Sequence, residues 1–483
     1  MSHAIANQSE FWVDKEKKTL ELINLVGQLW FDHSIELILF RRQLVDTRPS
    51  EVLNHHEYAR NYINKPLTLN ISLMLAKAIS ELELAPSRID IGTLGKEWLL
   101  EGENYKDANE FVADKLKNFI GKDKRQLQPK DVVLYGFGRI GRLAARELIT
   151  QTGKGEQLRL KAIVTRDNSD AAILKRASLL RKDSVHGKFR GTVIEDLENN
   201  ALIINGHRVQ MITAKSPDTV DYEQYGIKNA LVIDNTGVWR DEEGLGLHLK
   251  SKGVASVLLT APGKGNIPNI VHGVNHLNFE IDSKDIWSAA SCTTNAIVPV
   301  IDVIHKKYGV KSGHIETVHS YTNDQNLLDN YHKKYRRGRS APMNMVITET
   351  GAASAVSKVL PELAGKMTGN AVRVPTPNVS LAIISLNLKN KPEDVDEVNY
   401  ILKTASAHGP LAEQIDYSTS NEFVSTDVVG NSHASVLDAP ATKMSVDKDN
   451  VILYVWYDNE YGYTRQVVRL AKYLSNVIRF TYY

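Results

Sequence analysis

The 483-residue chain holds one cysteine, Cys292. That count excludes an intramolecular disulfide and a thiolate metal cluster within one chain, and no metal site is expected. An excess of one charge is also missing. Lys and Arg number 59 against 57 Asp and Glu, a formal net charge of +2, so nothing points to nucleic acid or an anionic membrane surface. No apolar run reaches the ~18 residues that suggest a bilayer-spanning helix. The amino end, Met1 to Leu22, lacks an apolar core followed by a small-residue cleavage site. No secretory leader is read there, and the cytoplasm is the expected compartment. Internal repeats and low-complexity tracts are absent too. With 42% hydrophobic and 24% charged residues the composition is globular, and at ~150 residues per domain the length predicts two to three domains.

From about Phe11 to Gly121 apolar residues recur at helical spacing, through Leu22, Ile23, Val26, Leu29 and Trp30, then Ile71 to Leu82, then Phe111 to Ile120. The breaks fall at Arg48-Pro49-Ser50, Lys65-Pro66 and Ala85-Pro86-Ser87. Residues 1–129 therefore read as an all-helical extension without a chemistry-bearing motif. The texture changes at Lys130. Short β-branched runs at Asp131–Tyr135, Leu158–Val164, Ala230–Ile233 and Val257–Leu259 alternate with helical patterns, which predicts a parallel sheet in an α/β domain. After Cys292 the strands are longer and alternate more often, as in Ser380–Leu386 and Val451–Trp456. These predict an α+β domain with a mainly antiparallel sheet. The expected division is 1–129, a dinucleotide-binding domain at 130–291 completed by 457–483, and a catalytic domain at 292–456.

Gly136-Phe137-Gly138-Arg139-Ile140-Gly141 fits G-x-G-x-x-G and lies between a predicted strand and a predicted helix. Gly136 permits the tight turn, Gly138 lets backbone approach a pyrophosphate, and Gly141 allows close helix–strand packing. The helix amino terminus then offers N–H groups to the phosphates. The second strand ends in Thr165-Arg166-Asp167 where an acid would bond the ribose of NAD. An arginine there attracts the 2′-phosphate of NADP, so Arg166 favours NADP over NAD, with Asp167 keeping the NAD reading open.

Cys292 lies in Ser291-Cys292-Thr293-Thr294-Asn295, at the head of a helical pattern running to His305. A cysteine on the first turn of a helix feels the dipole, which lowers its thiol pKa. Flanking hydroxyls suit an anion site better than a buried apolar position. His319, twenty-seven residues on, ends an apolar run and is a candidate partner as acid or base. A lone cysteine and one of 15 histidines are by default core or surface groups, and spacing alone does not bring them together.

These segments resemble phosphorylating glyceraldehyde-3-phosphate dehydrogenase. The resemblance rests on Gly136–Arg142, Asp183-Ser184-Val185-His186-Gly187, Ser291–Asn295, Arg373-Val374-Pro375-Thr376-Pro377-Asn378-Val379-Ser380 and Trp456-Tyr457-Asp458-Asn459-Glu460-Tyr461-Gly462-Tyr463. They stand in the family's order over residues 130–483, and the preceding portion is similar to the extension of a long bacterial form. The resemblance implies Cys292 as nucleophile, His319 as its base, and an acyl-phosphate product made through a thioester. It implies that Thr322 and Arg373 hold the substrate phosphate, and that Ser291, Thr293, Thr350 and Gly351 hold the attacking inorganic phosphate. Arg139 and Ile140 belong by it to the pyrophosphate turn, with Lys215 and Thr260 farther along the cofactor, Asn459 on the nicotinamide amide and Tyr463 beside it. A homotetramer is expected because Tyr321–Met345, with its arginines, resembles a loop that reaches a neighbouring subunit.

Three positions depart from the family pattern. They are the Thr165-Arg166 strand end, Asp324 in place of a second phosphate-gripping threonine, and Ala296 in place of a second cysteine. Asp324 costs phosphate affinity unless it turns away or pairs with an arginine. Two alternatives follow: the same chemistry on erythrose 4-phosphate, and a non-catalytic redox-sensing or scaffold protein built on the extension.

Overall fold

A computed structural model describes residues 2–61 and 65–483. The chain forms two compact units. One comprises residues 1–129, 152–157 and 476–483, and the other residues 130–151 and 158–475.

The first unit is built on the helices Ser2–His33, Pro49–Tyr58, Leu69–Ser80, Ile91–Glu101 and Ala108–Lys115. Leu22, Val26 and Leu29 lie on one face of the long first helix and are buried among Leu75, Ile79 and Phe111, the i, i+4, i+7 stripe that helical periodicity requires. Asp107 caps the last of these helices, accepting from Glu110 N at 3.0 Å.

This unit is not all-helical. Strands Arg42–Gln43, Ile35–Leu39, Ser87–Asp90 and Phe480–Tyr482 form a sheet in that spatial order. Every residue of Ile35–Leu39 is buried, so the run carries no alternation to separate it from buried helix. Its hairpin also lacks a turn signal, because Phe40 and Arg41 take φ of 43° and 68° without glycine or asparagine. The buried Asp90 carboxylate holds that turn. It accepts from Phe40 N at 2.8 Å and Arg41 N at 3.0 Å, pairs with the Arg41 guanidinium, and caps the next helix through Gly92 N at 2.9 Å. The last strand comes from the far end of the sequence. Residues 476–483 therefore belong to this unit and do not complete the dinucleotide-binding domain, as the sequence had suggested.

In the second unit, strands Ile286–Ser288, Val254–Leu259, Ala230–Asp234, Lys130–Tyr135, Leu158–Thr165 and His207–Thr213 lie side by side, all parallel. The antiparallel Ala201–Ile204 and Val193–Asp196 extend the edge. The helix Tyr461–Leu474 packs on Arg139–Thr150, pinned by the buried Arg465–Glu147 pair. A second sheet orders Val346–Thr348, Met367–Val374, Val310–Ser320, Ser380–Leu388, Asn450–Tyr457, Ser435–Asp438 and Ile415–Ser418. Its neighbours are antiparallel except Val310–Ser320 with Met367–Val374 and Ile415–Ser418 with Ser435–Asp438. Helix Cys292–Tyr308 buries Ile297, Val300, Ile301 and Ile304 with Ile315, Ile384 and Leu453. Each such side chain contributes about 1.5–3 kcal/mol, which fixes the helix that carries Cys292 at its first turn. Among the described residues no helix is long and apolar enough to cross a membrane.

Candidate active site

The backbone before Cys292 is held in an unfavourable shape from several sides. Ala290 has φ of 55°, a conformation that costs an alanine of order 1 kcal/mol. The buried Tyr463 hydroxyl donates to Ala290 O at 2.9 Å, and Asn295 Nδ2 donates to Ala289 O at 2.8 Å and Ser291 O at 3.0 Å. Ser291 caps the helix, its Oγ accepting from Thr294 N at 3.1 Å. Cys292 follows as the first helical residue, with its own N–H and that of Thr293 directed at the sulfur.

His319 ends the strand Val310–Ser320, and the parallel register places Arg373 directly beside it. Its Nε2 lies 3.8 Å from Cys292 Sγ. Its Nδ1 lies 2.7 Å from Ser320 O and 3.0 Å from Arg373 Nη1, which itself donates to Ser320 O at 2.9 Å. Burial, aided by the Arg373 charge, holds His319 down to about 3. Burial pushes the Cys292 thiol up, against the Arg373 charge and the hydrogen bonds from Thr293 and the backbone. Desolvation thus opposes the lowering of the thiol expected from the helix dipole.

A cavity of about 310 Å³ opens over this pair, and Ser291, Thr293, Thr350, Gly351 and Arg373 share its lining with Cys292 and His319. Thr293 Oγ1 lies 3.0 Å from the buried Tyr457 hydroxyl, and Thr350 Oγ1 accepts from Ala352 N at 3.1 Å. Arg373 leaves its buried Nε without a hydrogen bond, as Thr317 on the same lining does its Oγ1, so a guanidinium edge is unspent at the cavity. Thr322 is the exception among the expected phosphate residues. It lies in the turn after His319, where its carbonyl accepts from Gln325 N at 2.9 Å, and it does not line the cavity.

The dinucleotide-binding turn also has its expected form. Gly136 takes φ of 93°, and a Cβ on Gly141 would meet Gly136 O at 2.4 Å. A Cβ on Gly138 would meet nothing within 4 Å, so that glycine keeps open the space above the helix that begins at Arg139, with Ile140 in its first turn. Arg166, Lys215 and Thr260 follow the carboxyl ends of three parallel strands, the edge where such sheets take their ligands. Arg166 and Lys215 are exposed. Asp167 spends one oxygen on Ser169 N at 2.9 Å.

The Arg139 side chain turns to carboxylates, pairing with Glu460 and meeting Asp183 at 3.3 Å. What it leaves for a pyrophosphate is its backbone. Asn459 Oδ1 accepts from Ser320 Oγ and Ser380 Oγ, each at 2.9 Å, which fixes the amide and leaves its N–H₂ as a donor. An open glycine cradle, exposed cations and an oriented amide fit a nicotinamide dinucleotide.

Comparison with known proteins gives the same answer. The family model described as the glyceraldehyde 3-phosphate dehydrogenase NAD binding domain matches residues 130–242, and that of the C-terminal domain matches residues 291–459. A glyceraldehyde-3-phosphate dehydrogenase-like protein of Pseudomonas aeruginosa (strain UCBPP-PA14) is 52% identical over 460 residues, covering 94% of this chain and 98% of that protein. The chain belongs to the glyceraldehyde-3-phosphate dehydrogenase family. Glyceraldehyde-3-phosphate dehydrogenase 2 of Nostoc sp. (strain PCC 7120) is 40% identical over 341 residues, covering 71% of this chain and 97% of its own. Glyceraldehyde-3-phosphate dehydrogenase 1 of Bacillus subtilis (strain 168) is 40% identical over 344 residues, covering 71% and 98%. The Pseudomonas match is long enough to include most of the first 129 residues, whereas the 341- and 344-residue matches leave out an equivalent stretch of this chain.

As a glyceraldehyde-3-phosphate dehydrogenase family member the chain is a dehydrogenase with a nicotinamide dinucleotide domain. Two residues of its site were not legible in the sequence. Arg337 reads as part of a basic loop, yet its side chain pairs with Asp324 and reaches Thr348 Oγ1 from Nη2 at 2.9 Å and from Nε at 3.2 Å. The Asp324 carboxylate, expected to oppose a phosphate, is therefore occupied. Glu349 lines the cavity beside Thr350 and is exposed, with no ion pair among the described residues. Its place next to the Thr350-Gly351 pair was the available signal.

Proposed function

We propose that the enzyme oxidises glyceraldehyde 3-phosphate and captures the acyl group with inorganic phosphate. The observation that carries this reading is Cys292 Sγ facing His319 Nε2 at 3.8 Å under a cavity that also gathers Arg373, Thr350, Ser291 and Thr293. Cys292 attacks the aldehyde carbon while His319 Nε2 accepts the proton, giving a hemithioacetal. The backbone N–H groups at the head of the helix stabilise the developing oxyanion. When bound, the nicotinamide supplies the two-electron acceptor that makes a thioester of this adduct. Phosphate then attacks the thioester carbon, and Cys292 leaves as the thiol. Arg373 offers its free guanidinium edge to the substrate phosphate, and the Ser291, Thr293 and Thr350 hydroxyls with the Gly351 backbone receive the attacking one.

NADP is the preferred cofactor in this reading. Arg166 and Lys215 put two exposed cations at neighbouring strand ends, where a 2′-phosphate would sit, and Asp167 is engaged with the following turn. Asn459 holds the carboxamide and Tyr463 supports the loop beneath the ring. A homotetramer is supported by the loop 327–347, which exposes Leu327, Leu328, Tyr331, Tyr335, Met343 and Ile347, an apolar area that a subunit interface would cover. The reaction belongs in the cytoplasm, within glycolysis or gluconeogenesis. The test is reduced-nicotinamide formation with glyceraldehyde 3-phosphate, which must require phosphate and vanish in Cys292→Ser. Turnover independent of phosphate would contradict the acyl-phosphate step, and turnover with erythrose 4-phosphate alone would move the substrate to the longer sugar.

A further inference from the structure

The sheet face that carries His319 continues along the strand Val310–Ser320 to Thr317 and then Ile315. Ile315 is buried in the core with helix Cys292–Tyr308. Thr317, between them, lines the cavity and is 1% exposed. The strand register sets Ala371 beside it on one side and Ala382 on the other, and neither side chain can share a hydrogen bond. Thr317 Oγ1 has no hydrogen-bond partner among the described residues. A valine has nearly the same shape and would fill this place without burying a hydroxyl, whose desolvation costs stability when nothing pairs with it. Packing therefore does not account for the hydroxyl, and its open side is the cavity.

The same register points to the oxygen that meets it. In one row across the sheet His319 lies beside Arg373, and Arg373 beside Val346. In the next row toward the core, Thr317 lies beside Ala371, and Ala371 beside Thr348. Thr348 leads directly into Glu349, Thr350 and Gly351, all on the cavity lining. Thr317 thus shares a row with the start of the segment expected to receive the attacking phosphate, while Arg373 belongs to the other row. Thr348 is already engaged, since its Oγ1 accepts from the Arg337 guanidinium. We infer that Thr317 Oγ1 is a further hydrogen-bond donor to the inorganic phosphate that attacks the thioester. Thr317 holds the anion from the sheet, and the Thr350 hydroxyl with the Gly351 backbone hold it from the loop. A neutral donor takes up phosphate charge without adding a cation that would compete with Arg373 for the sugar phosphate. This role rests on the acyl-phosphate reading above, and it makes Thr317 a residue that sets affinity for the acceptor and not for the aldehyde.

The test compares the whole chain with Thr317→Val and Thr317→Ser, varying phosphate at saturating glyceraldehyde 3-phosphate. Thr317→Val should raise KM for phosphate about tenfold, the loss expected of one hydrogen bond to an anion. Its KM for the aldehyde should stay within about twofold of the parent's. Thermal denaturation should find Thr317→Val at least as stable as the parent, because it removes an unpaired buried hydroxyl. Thr317→Ser, which keeps the hydroxyl, should restore most of the phosphate KM. A readout without turnover uses the single thiol: inorganic phosphate should protect Cys292 from iodoacetamide, with half-protection shifted in Thr317→Val by the same factor as KM. An unchanged phosphate KM and half-protection overturn the assignment and leave the acyl-phosphate reading standing. A rise in aldehyde KM instead places the hydroxyl on the sugar phosphate and overturns it too, as does a destabilised Thr317→Val that loses all its kinetic parameters together. Turnover of the parent that needs no phosphate overturns both the reading and the role given to Thr317.

Discussion

The Asp324 carboxylate is paired with Arg337, whose Nε and Nη2 both also meet Thr348 Oγ1. The pair turns an acid that would repel a substrate phosphate into a support for the loop beside it. Asp324 also acts on Arg373 electrostatically, so stripping its partner exposes the site to an uncompensated negative charge. Arg337→Ala should raise KM for the sugar phosphate about tenfold, equivalent to ~1.4 kcal/mol, with a smaller change in kcat. The double variant Asp324→Ala/Arg337→Ala should recover part of that loss. Additive effects of the two substitutions would show that the pair does not act as a unit.

Burial of this pair has a pH signature. Burial holds His319 down to about 3, against an ordinary value of 6.5. Between those values the unfolded chain binds a proton that the folded chain refuses, so stability rises with pH across this window. The contribution is full above pH 6.5 and is lost as pH falls toward 3. His319→Asn should therefore lose less stability between pH 7 and pH 4.5 than the parent does, measured by denaturant titration. In the same way, the thiol pushed up by burial should show alkylation that climbs with pH and does not level off near neutrality. A plateau below about pH 7 would mean that the pair rests as thiolate and imidazolium.

Glu349 is an exposed acid on the lining of the cavity proposed above to receive the attacking phosphate. Like charges at this range oppose binding. Glu349→Ser should lower KM for inorganic phosphate several-fold while leaving KM for the aldehyde nearly unchanged. Steady-state kinetics with phosphate varied at saturating aldehyde reads this directly, and an unchanged phosphate KM would place the carboxylate's charge away from the anion.

The first unit depends on the end of the chain. Phe480 stacks on Phe119 at 5.5 Å between centroids, Tyr482 meets the same ring edge-on at 6.2 Å, and Arg479 lies over Trp30 at 4.3 Å. Deleting residues 476–483 removes these contacts and a sheet strand, a loss of about 2 kcal/mol or more. Limited proteolysis should then cut within residues 1–129 at protease concentrations the full chain resists. Equal resistance would show that the other three strands hold without the fourth.

The second unit was legible in the sequence because its signals are local. Gly136, Gly138 and Gly141 stand between a strand and a helix, and Ser291, Cys292 and Thr293 open another helix, so a few adjacent residues carry each inference. The first unit resisted because its sheet is assembled from distant pieces. Ile35–Leu39 is buried without alternation, Phe40 and Arg41 form a turn only because Asp90, about fifty residues later, holds it, and the last strand lies beyond the whole catalytic domain. Charge is hard to read locally for a similar reason. The helix start at Cys292 suggests an acidified thiol, whereas burial, which the local sequence does not show, opposes it. Arg337 looked like a solvated loop residue until the fold brought Asp324 and Thr348 to it.

The central claim is that Cys292 and His319 run a phosphate-dependent oxidation with NADP preferred. The most direct measurement is initial-rate turnover of glyceraldehyde 3-phosphate by the purified chain, with NADP and NAD side by side, with and without phosphate, against Cys292→Ser. The account predicts turnover that needs phosphate, disappears in the variant and has a higher kcat/KM with NADP, an advantage that Arg166→Ala removes. Phosphate-independent turnover, or activity that survives loss of the sulfur, would contradict it.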